Sequence, residues 1–360
     1  MCSQGAIEIC IHSTMDLNST QLDNATLALF QNKEASTALS VIYVIVILIS
    51  FPSNSLSLWL LLFRTTLTPS TIYMINLTIT DLVICLFLPF QIVYQLNGYN
   101  WIFGENMCSV VTVMFYSNMY CSILTMTAIS LSRYIGVVCP MTFENHKNRY
   151  ALMVCLAMWV AILIVMYPLE RTDLTYKVKE LNITTCFDIL KKSMLPSIGA
   201  WAAFLFTLFV LLFMIPFILT VYCYTRVILK LLHPNQQQVN RDSQIQKKRA
   251  ILLVTIVLFV FITCFAPNNI ILLTHMIGRL YYDKSFYMAY KLTLSLSCLN
   301  SCLDPFIYYF ASTEFRKKLR QVLNLQSTLS IFSQEEHEMM ARGGEVALRG
   351  EDALKGEFSA

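Results

Sequence analysis

Polar side chains that could bind a cation or share a proton lie inside stretches of the sequence that are otherwise apolar. They are two carboxylates and three neutral side chains: Asp81, Asn118, Ser122, Asn300 and Asp304. Buried polar groups are costly in an apolar medium, so these side chains need partners or a function. As a group they suit a hydrated sodium ion at Asp81, or shared protons. A hydrogen-bonded packing network without an ion is the alternative, and no other metal or cofactor is indicated.

The stretches that hold these residues are long enough to cross a lipid bilayer. The chain of 360 residues is 56% hydrophobic and 13% charged, which is too little charge for the surface of a soluble domain of this length. Seven apolar blocks approach or exceed the roughly 20 residues that a transmembrane helix needs. They lie near 38–63, 71–96, 107–138, 149–169, 197–232, 248–277 and 287–310. The sequence therefore predicts an all-α membrane protein, a bundle of seven transmembrane helices.

The distribution of basic residues predicts the orientation. Lys and Arg are concentrated between 226 and 249 and between 316 and 320, whereas the opposite side carries few of them. Because cytoplasmic loops are the basic ones, the N-terminus is predicted to be extracellular and the C-terminus cytoplasmic, in a multi-pass plasma-membrane protein. The net charge of +4 is mild and the basic residues cluster near span ends, so no nucleic-acid surface is indicated.

The ends of the chain differ in character from the bundle at 38–310. Residues 1–37 are predicted to be an extracellular tail with glycosylation sequons at Asn18 and Asn24, and Asn182 is a third sequon on the same side. Basic and apolar residues on opposite faces of 312–323 predict that 311–325 forms a short amphipathic eighth helix on the membrane surface. Residues 326–360 are predicted to be a disordered cytoplasmic tail with phosphorylatable hydroxyls.

Four of the twelve cysteines lie on the predicted outer side, which is oxidising. Cys108 lies at the mouth of the third span and Cys186 in the second outer loop. A disulfide between them would fix the loop across the mouth, whereas the alternative is two unrelated thiols. Cys2 and Cys10 either pair with each other or stay free.

Motifs in all seven blocks resemble those of one receptor family. They are Asn54, the run Asn76 to Asp81, Cys108 with Cys186, Ser132-Arg133-Tyr134, Trp159, Pro216 with Tyr224, FITCFAP (261–267) and DPFIY (304–308). In this order and spacing the chain resembles the rhodopsin-like G-protein-coupled receptors. Phe265, Asp304 and the WIFG of the first outer loop resemble the metabotropic purinoceptor branch. The resemblance implies a receptor that activates a heterotrimeric G protein, with the twelve/thirteen class of α subunit favoured.

The resemblance also assigns roles in activation. Arg133, beside Tyr134, would engage the G protein when the sixth span swings outward, and Tyr224 and Tyr308 would turn inward. Pro267 would supply the hinge and Phe265 the packing element next to it. Receptor kinases and arrestin would act on the tail. The family usually has an acid where this chain has Ser132, so the restraint on Arg133 is expected to be weaker and basal signalling higher.

The outer ends of the spans carry rings and cations that suit an amphiphilic anion. The predicted ligand-pocket residues are Phe115, Tyr116, Tyr120, Arg171, Asn268, Asn269, His275, Arg279, Tyr290 and Lys291. Nucleotide receptors of the branch carry a His, and a basic residue three positions on, in the sixth span, where this chain has Asn269 and Leu272. An anionic lipid or lipid conjugate is therefore favoured, and a nucleotide is the alternative.

Other function classes fit less well. A transporter would show paired half-repeats with broken, Gly-rich spans. An intramembrane enzyme would need a nucleophile with a base, or metal ligands, and neither is evident. A retinal-linked protein needs a lysine deep in the seventh span, where this chain has Cys298. A constitutively active receptor without a physiological agonist stays open.

Overall fold

The computed structural model describes Leu27 and residues 30–139, 147–188, 198–232, 241–282 and 286–323. The predicted tail at 326–360, the predicted glycosylation sites Asn18 and Asn24, and the cysteines Cys2 and Cys10 lie outside these residues. Four helices come first: α1 (Lys33–Phe63), α2 (Pro69–Leu96), α3 (Glu105–Val138) and α4 (Lys147–Glu170). A hairpin of β1 (Thr175–Val178) and β2 (Ile183–Cys186) follows α4.

Two of the later helices contain π-helical turns. The fifth, α5, runs through Ile198–Thr207, a π-helical segment Leu208–Met214 and Ile215–Leu232. The sixth, α6, runs through Arg241–Val260, a π-helical segment Phe261–Phe265 and Ala266–Tyr282. Such segments in other proteins often occur at functional sites. The last two helices are α7, formed by Tyr287–Ser297 and Asn300–Ala311, and α8 (Thr313–Val322).

Local capping residues fix where several helices begin. The Asn32 side chain accepts a hydrogen bond from the Ala35 amide at 3.1 Å, so α1 begins at Lys33, before the predicted start at 38. Ser312 likewise accepts from the Phe315 amide at 3.1 Å and starts the surface helix α8. The predicted extracellular tail at 1–37 therefore includes the first turn of α1.

Six helices of the described chain are long and apolar enough to cross a membrane. The seventh, α7, is divided by a turn at Cys298 and Leu299, so each half is short by itself. Apolar side chains cover the outside of the bundle, as Leu48 and Met153 illustrate with 68% and 63% exposure. The prediction of an all-α membrane bundle of seven spans is confirmed.

Hydrogen bonds between buried polar side chains join the helices to one another. Asn76 of α2 donates to the Thr125 hydroxyl of α3 at 2.8 Å and accepts from the indole of Trp159 of α4 at 3.0 Å. Asn54 of α1 donates to the Ser301 carbonyl of α7 at 2.8 Å. These bonds satisfy polar groups that lipid could not. Asn76 thereby links α2 to both α3 and α4, and Asn54 links α1 to α7.

A disulfide attaches the hairpin to the outer end of α3. Cys186, the last residue of β2, is bonded to Cys108 with their Cα atoms 5.7 Å apart, which confirms the predicted disulfide. The Trp101 amide also donates to the Thr184 carbonyl at 2.7 Å. The two contacts fix the residues after Cys186 over the mouth of the bundle. Asn182 lies exposed in the hairpin turn with a φ of 50°, and its glycosylation stays a prediction.

Candidate ligand site and cytoplasmic cleft

A buried ion pair lies under the outer hairpin. Lys291 Nζ of α7 is 2.5 Å from Oδ1 of Asp188, the second residue after Cys186, and their side chains are 5% and 1% exposed. The hydroxyls of Tyr94 and Tyr287 donate to the other carboxylate oxygen at 2.5 and 2.8 Å. Burying two charges is favourable only when their remaining hydrogen-bonding capacity is satisfied, and the tyrosines satisfy the carboxylate here.

Tyrosine rings surround the ammonium group of Lys291. Its Nζ lies 5.7, 5.6 and 6.0 Å from the ring centroids of Tyr94, Tyr287 and Tyr290. At such distances the negative ring faces attract a cation. The lysine is therefore held by one carboxylate and by aromatic rings.

A second polar layer connects the ion pair to α3 and α6. Tyr116 and Tyr290 share a hydrogen bond of 2.6 Å between their hydroxyls, and the His275 ring stacks on Tyr290 at 5.5 Å. Tyr120 donates to the Asn269 side chain at 3.2 Å. Asn269 in turn donates to the Phe265 carbonyl at 2.9 Å. The Tyr116 and Tyr120 rings stack with centroids 6.5 Å apart, so a continuous set of contacts runs from Lys291 to the π-helical segment of α6.

The cavity at this site is almost closed. Its volume is about 20 Å³, close to that of a single water-sized probe. Four of its lining residues are predicted pocket residues: Phe115, Tyr116, Tyr290 and Lys291. The sequence did not indicate the others, among them Gln91, Phe187 and Asp188. An amphiphilic ligand fits only if the tyrosines and the hairpin move apart.

The other predicted pocket residues have different positions. Asn268 is buried with its amide 3.1 Å from Met119 Sδ, and its side-chain oxygen has no hydrogen bond among the described residues. His275 accepts a hydrogen bond from the Phe286 amide through Nδ1 at 3.0 Å. Arg171 lies on the rim, where it is 3.4 Å from Glu170 and 68% exposed. Nothing is described of the Arg279 side chain.

Aromatic residues outside the cavity cover the ion pair. Phe30, just before α1, packs on Tyr99 and Tyr287 with ring centroids 5.3 Å apart in each case. Burial, together with the nearby charge of Asp188, raises the pKa of Tyr99 to about 12. The Tyr99 hydroxyl is therefore neutral at physiological pH. It adds no second negative charge beside the carboxylate.

The five predicted sodium-network residues are buried at mid-depth. Asp81 and Asp304 are fully buried, and no hydrogen bond from the described residues reaches their carboxylate oxygens. Asn118 donates to the Thr80 carbonyl at 2.8 Å. Ser122 and Asn300 have side-chain atoms without partners among the described residues. Two carboxylates this deeply buried need a neutralising partner, which is either a bound cation or a proton that the two groups share.

A larger cavity lies at the opposite end of the bundle. The predicted orientation places it on the cytoplasmic side, so we call it the cytoplasmic cleft. It has a volume of about 290 Å³ and is lined by residues of α3, α5, α6, α7 and α8, among them Arg133, Tyr224, Leu253 and Phe310. Two tyrosine hydroxyls, that of Tyr224 in the cleft lining and that of Tyr308 on α7, are buried without hydrogen-bond partners among the described residues. Tyr134 lies outside the cleft lining, with its ring 6.0 Å from that of Tyr222.

An aromatic column joins the π-helical segments of α5 and α6. Consecutive ring centroids of Phe213, Phe217, Phe261 and Phe265 are 5.7 to 6.1 Å apart. Pro267 follows the segment of α6 after one residue and cannot donate to the helix ladder. The column therefore packs where the backbone ladder of α6 is irregular, which is consistent with the predicted hinge at Pro267.

Comparison with known proteins agrees with this architecture. A family model described as "7 transmembrane receptor (rhodopsin family)" matches residues 53–308. The chain is 55% identical to purinoceptor 8 of Gallus gallus over 92% of each chain. It is 53% identical to the S-geranylgeranyl-glutathione receptor of Homo sapiens over 85% of each. It is 38% identical to proteinase-activated receptor 2 of Mus musculus over 86% of this chain and 77% of the relative. The chain therefore belongs to the rhodopsin family of seven-transmembrane receptors, which are G-protein-coupled receptors and not enzymes.

Proposed function

We propose that this receptor binds an extracellular anionic lipid conjugate at Lys291 and transmits the binding to a heterotrimeric G protein. The observation that carries the proposal is the Lys291–Asp188 pair, buried beneath the hairpin. A relative that is 53% identical is named for S-geranylgeranyl-glutathione, a compound that joins a long apolar chain to a peptide with carboxylates. Tyrosine rings and a buried lysine offer contacts for both parts of such a ligand.

The arrangement supports an exchange of carboxylates. An acid group of the ligand would take the position of Asp188 on Lys291, and the tyrosine rings around the lysine would shift to make room for it. The loss of the Asp188 contact would loosen the residues that follow the hairpin, while the disulfide and the Trp101–Thr184 hydrogen bond would still hold the hairpin itself. Since the cavity of about 20 Å³ is too small for the ligand, binding favours an expanded form. Ligand binding shifts the equilibrium by its difference in affinity between the two forms.

Two hydrogen bonds support a route by which ligand binding could affect the cytoplasmic side. One joins Tyr290 to Tyr116, and the other joins Tyr120 to Asn269. Expansion at Tyr290 would disturb the hydrogen bond that Asn269 makes to the Phe265 carbonyl. The π-helical segment and Pro267 would then let the cytoplasmic half of α6 move outward. The widened cleft would receive a helix of the G-protein α subunit, of the twelve/thirteen class in our proposal.

The test is a titration of G-protein dissociation in cells that express the receptor. S-geranylgeranyl-glutathione is expected to activate it, and the same conjugate with both carboxyls amidated is expected to be at least about tenfold weaker, because charged hydrogen bonds are lost. Nucleotides and a lysophospholipid are tested in parallel across the α-subunit classes. Equal potency of the amidated conjugate would contradict the proposed lysine site, and activation by nucleotides alone would favour the purinoceptor alternative.

A constitutively active receptor is a second candidate, favoured by Ser132. Replacing Ser132 with aspartate is expected to lower basal nucleotide exchange by severalfold, because a carboxylate next to Arg133 would stabilise the resting position of the guanidinium. The measurement is agonist-free exchange per receptor at the cell surface, with Ser132→Asn as the uncharged control of matched size. Unchanged basal exchange in Ser132→Asp would contradict this role.

We further propose that Asp81 and Asp304 hold a sodium ion in the resting form. Replacing sodium chloride with choline chloride is expected to raise agonist affinity severalfold, because the ion stabilises the resting packing. Asp81→Asn is expected to remove this sodium dependence and keep the receptor at the surface. The measurement is agonist affinity at constant ionic strength. Sodium dependence that survives in both Asp81→Asn and Asp304→Asn would contradict the site.

The concentration of Lys and Arg between 226 and 249 and between 316 and 320 supports an extracellular N-terminus and a cytoplasmic C-terminus. Surface labelling of an N-terminal tag on intact cells tests this orientation. Hydroxyls in 326–360 support phosphorylation by receptor kinases followed by arrestin binding. The exposed Val322 and Leu323 at the end of α8 support contact with membrane lipid, while Phe315 packs inward.

A further inference from the structure

Gln95, in the last turn of α2, is a buried polar residue that the ligand site described above does not use. It is fully buried and lies one helical turn beyond Gln91, which lines the cavity at Lys291. Side chains four residues apart share one face of a helix, so Gln95 is on the same face as Gln91. At about 1.5 Å per residue, it lies about 6 Å nearer the outer end of α2. Gln95 therefore extends the candidate ligand site outwards.

The two oxygen atoms of Gln95 already have hydrogen-bond partners. Its backbone carbonyl accepts from the Gly98 amide at 3.1 Å and from the Ser36 hydroxyl of α1. Its side-chain oxygen accepts from the Ser40 hydroxyl at 3.2 Å. The side-chain nitrogen, Nε2, has no hydrogen bond to any of the described residues. Because an unpaired buried donor is costly, this nitrogen needs a partner that the chain does not supply, such as water or a ligand group.

Tyr43 of α1 lies between Gln95 and the buried ion pair. It is buried, and its phenol is close enough to interact electrostatically with the Asp188 carboxylate and with the Gln95 amide, although no hydrogen bond of normal geometry reaches Nε2. The phenol of Tyr290, which lines the cavity, is within electrostatic range of Tyr43 as well. Polar groups therefore continue from Lys291 past Asp188 and Tyr43 to Gln95.

The movement that opens the Lys291 site would also open a way to Gln95. Tyr94, the residue before Gln95, donates to the Asp188 carboxylate at 2.5 Å and accepts from the Cys186 amide at 3.3 Å. When a ligand acid replaces Asp188, the bond between Tyr94 and Asp188 is lost. The last turn of α2 then loses one of its attachments to the residues that follow the hairpin, and the space beside Gln95 can widen.

The free nitrogen suits a second acid group on the same ligand. Nε2 carries two N–H donors, and a carboxylate oxygen accepts from such donors. The proposed ligand has two carboxylates on a peptide of three residues, and Lys291 binds one of them. Three residues reach about 10 Å when extended, which exceeds the step of about 6 Å from the cavity to Gln95. One conjugate can therefore contact both residues.

We propose that Gln95 binds the second carboxylate of the ligand and makes the receptor selective for conjugates with two acid groups over lipids with one. This inference rests on the proposed function, in which Lys291 binds the first carboxylate. A ligand with one acid group would leave Nε2 unpaired. Sites that hydrogen-bond a ligand group discriminate against an analogue that lacks it, because their own buried polar atoms then stay unpaired.

The experiment uses the full-length receptor in cells and measures the concentration of each agonist that gives half-maximal G-protein dissociation. The agonists are S-geranylgeranyl-glutathione and its two monoamides, each with one carboxyl group converted to a carboxamide. Gln95→Met is expected to weaken the parent conjugate about tenfold, because a hydrogen bond to a charged group is lost. One monoamide lacks the carboxylate that Gln95 binds and is expected to change less than about threefold. The other is expected to respond as the parent does.

Two further variants serve as a second probe and as a control. Gln95→Glu retains the shape of the side chain and is expected to weaken the parent about 30-fold or more, because two carboxylates repel each other. Ser40→Ala is the matched control: it removes the partner of the Gln95 oxygen and leaves Nε2 in place, so the relative potencies of the three agonists are expected to stay the same. Surface expression is measured for every variant, and Gln95→Glu takes the place of Gln95→Met if the methionine variant is retained inside the cell.

The outcomes separate this inference from the proposed function. Gln95→Met that leaves the parent unchanged, or that weakens the parent and both monoamides equally, would overturn the role of Gln95 and assign it to the packing of α1 on α2. If Lys291→Met lowers potency in the same assay, the proposed function survives that result. Unchanged potency in Lys291→Met would instead contradict the proposed function itself.

Discussion

Arg133→Ala is expected to lower ligand-stimulated nucleotide exchange at least about 30-fold. Among the described residues that line the cytoplasmic cleft, Arg133 carries the charge, and the others are neutral. Loss of one partner from a buried, hydrogen-bonded charge contact costs about 2–5 kcal/mol. The measurement is nucleotide exchange on purified G protein with the receptor in nanodiscs.

Two further measurements distinguish lost coupling from lost folding. Arg133→Ala is expected to reach the cell surface and to keep its low-affinity binding of S-geranylgeranyl-glutathione in the absence of G protein. Arg226→Ala is the matched control, because Arg226 is exposed on α5 and does not line the cleft. An Arg133→Ala receptor that couples normally would contradict the assignment of the cleft.

Lys291→Met is expected to reduce agonist potency about 100-fold. Methionine retains the apolar stem of the lysine and removes the ammonium group that would hold the ligand acid, a loss again of about 2–5 kcal/mol. The same substitution leaves Asp188 buried without its cation, which destabilises the outer end of the receptor. The measurement is the concentration of S-geranylgeranyl-glutathione that gives half-maximal G-protein dissociation.

A double substitution separates the two effects of Lys291→Met. Adding Asp188→Asn removes the unpaired carboxylate and retains the shape of the side chain, so surface expression is expected to recover while potency stays low. Arg171→Ala is the control for a cation at the same end, and less than threefold change is expected because Arg171 is exposed on the rim. Recovery of potency in the double variant would show that Lys291 serves the fold alone.

The sequence was sufficient to predict the spans and the disulfide, because both follow from strong one-dimensional signals. Length and hydropathy identify a transmembrane block, and the side of the membrane identifies which cysteines are in an oxidising compartment. The π-helical segments were not predicted, since Leu208–Met214 and Phe261–Phe265 are apolar in either helical register. The turn at Cys298 and Leu299 was also missed, as neither residue is a helix breaker by type.

The candidate ligand site was predicted only in part. Lys291 and Tyr290 were found because they are a cation and a ring near the outer end of a span. Asp188 was missed, although it is two residues from the disulfide cysteine and must follow it over the mouth. Arg171 was included for its charge, but the side chains of Glu170 and Tyr167 hold it on the rim. The depth of a side chain in the bundle and the direction in which it points depend on how the helices pack. The spacing of residues along the chain does not encode this packing.

The π-helical turns determine how α5 and α6 tolerate changes in length. Each such turn accommodates one residue more than an α-helical turn does, so loss of a residue such as Thr263 would leave an unbroken α-helix. Because the wider turn absorbs the extra residue, the half beyond it keeps its orientation, whereas an alignment without a gap there shifts the faces of that half by about 100°. Single-residue insertions and deletions can therefore arise within these membrane helices during evolution, and alignments that allow gaps only in loops would assign the wrong faces to α5 and α6.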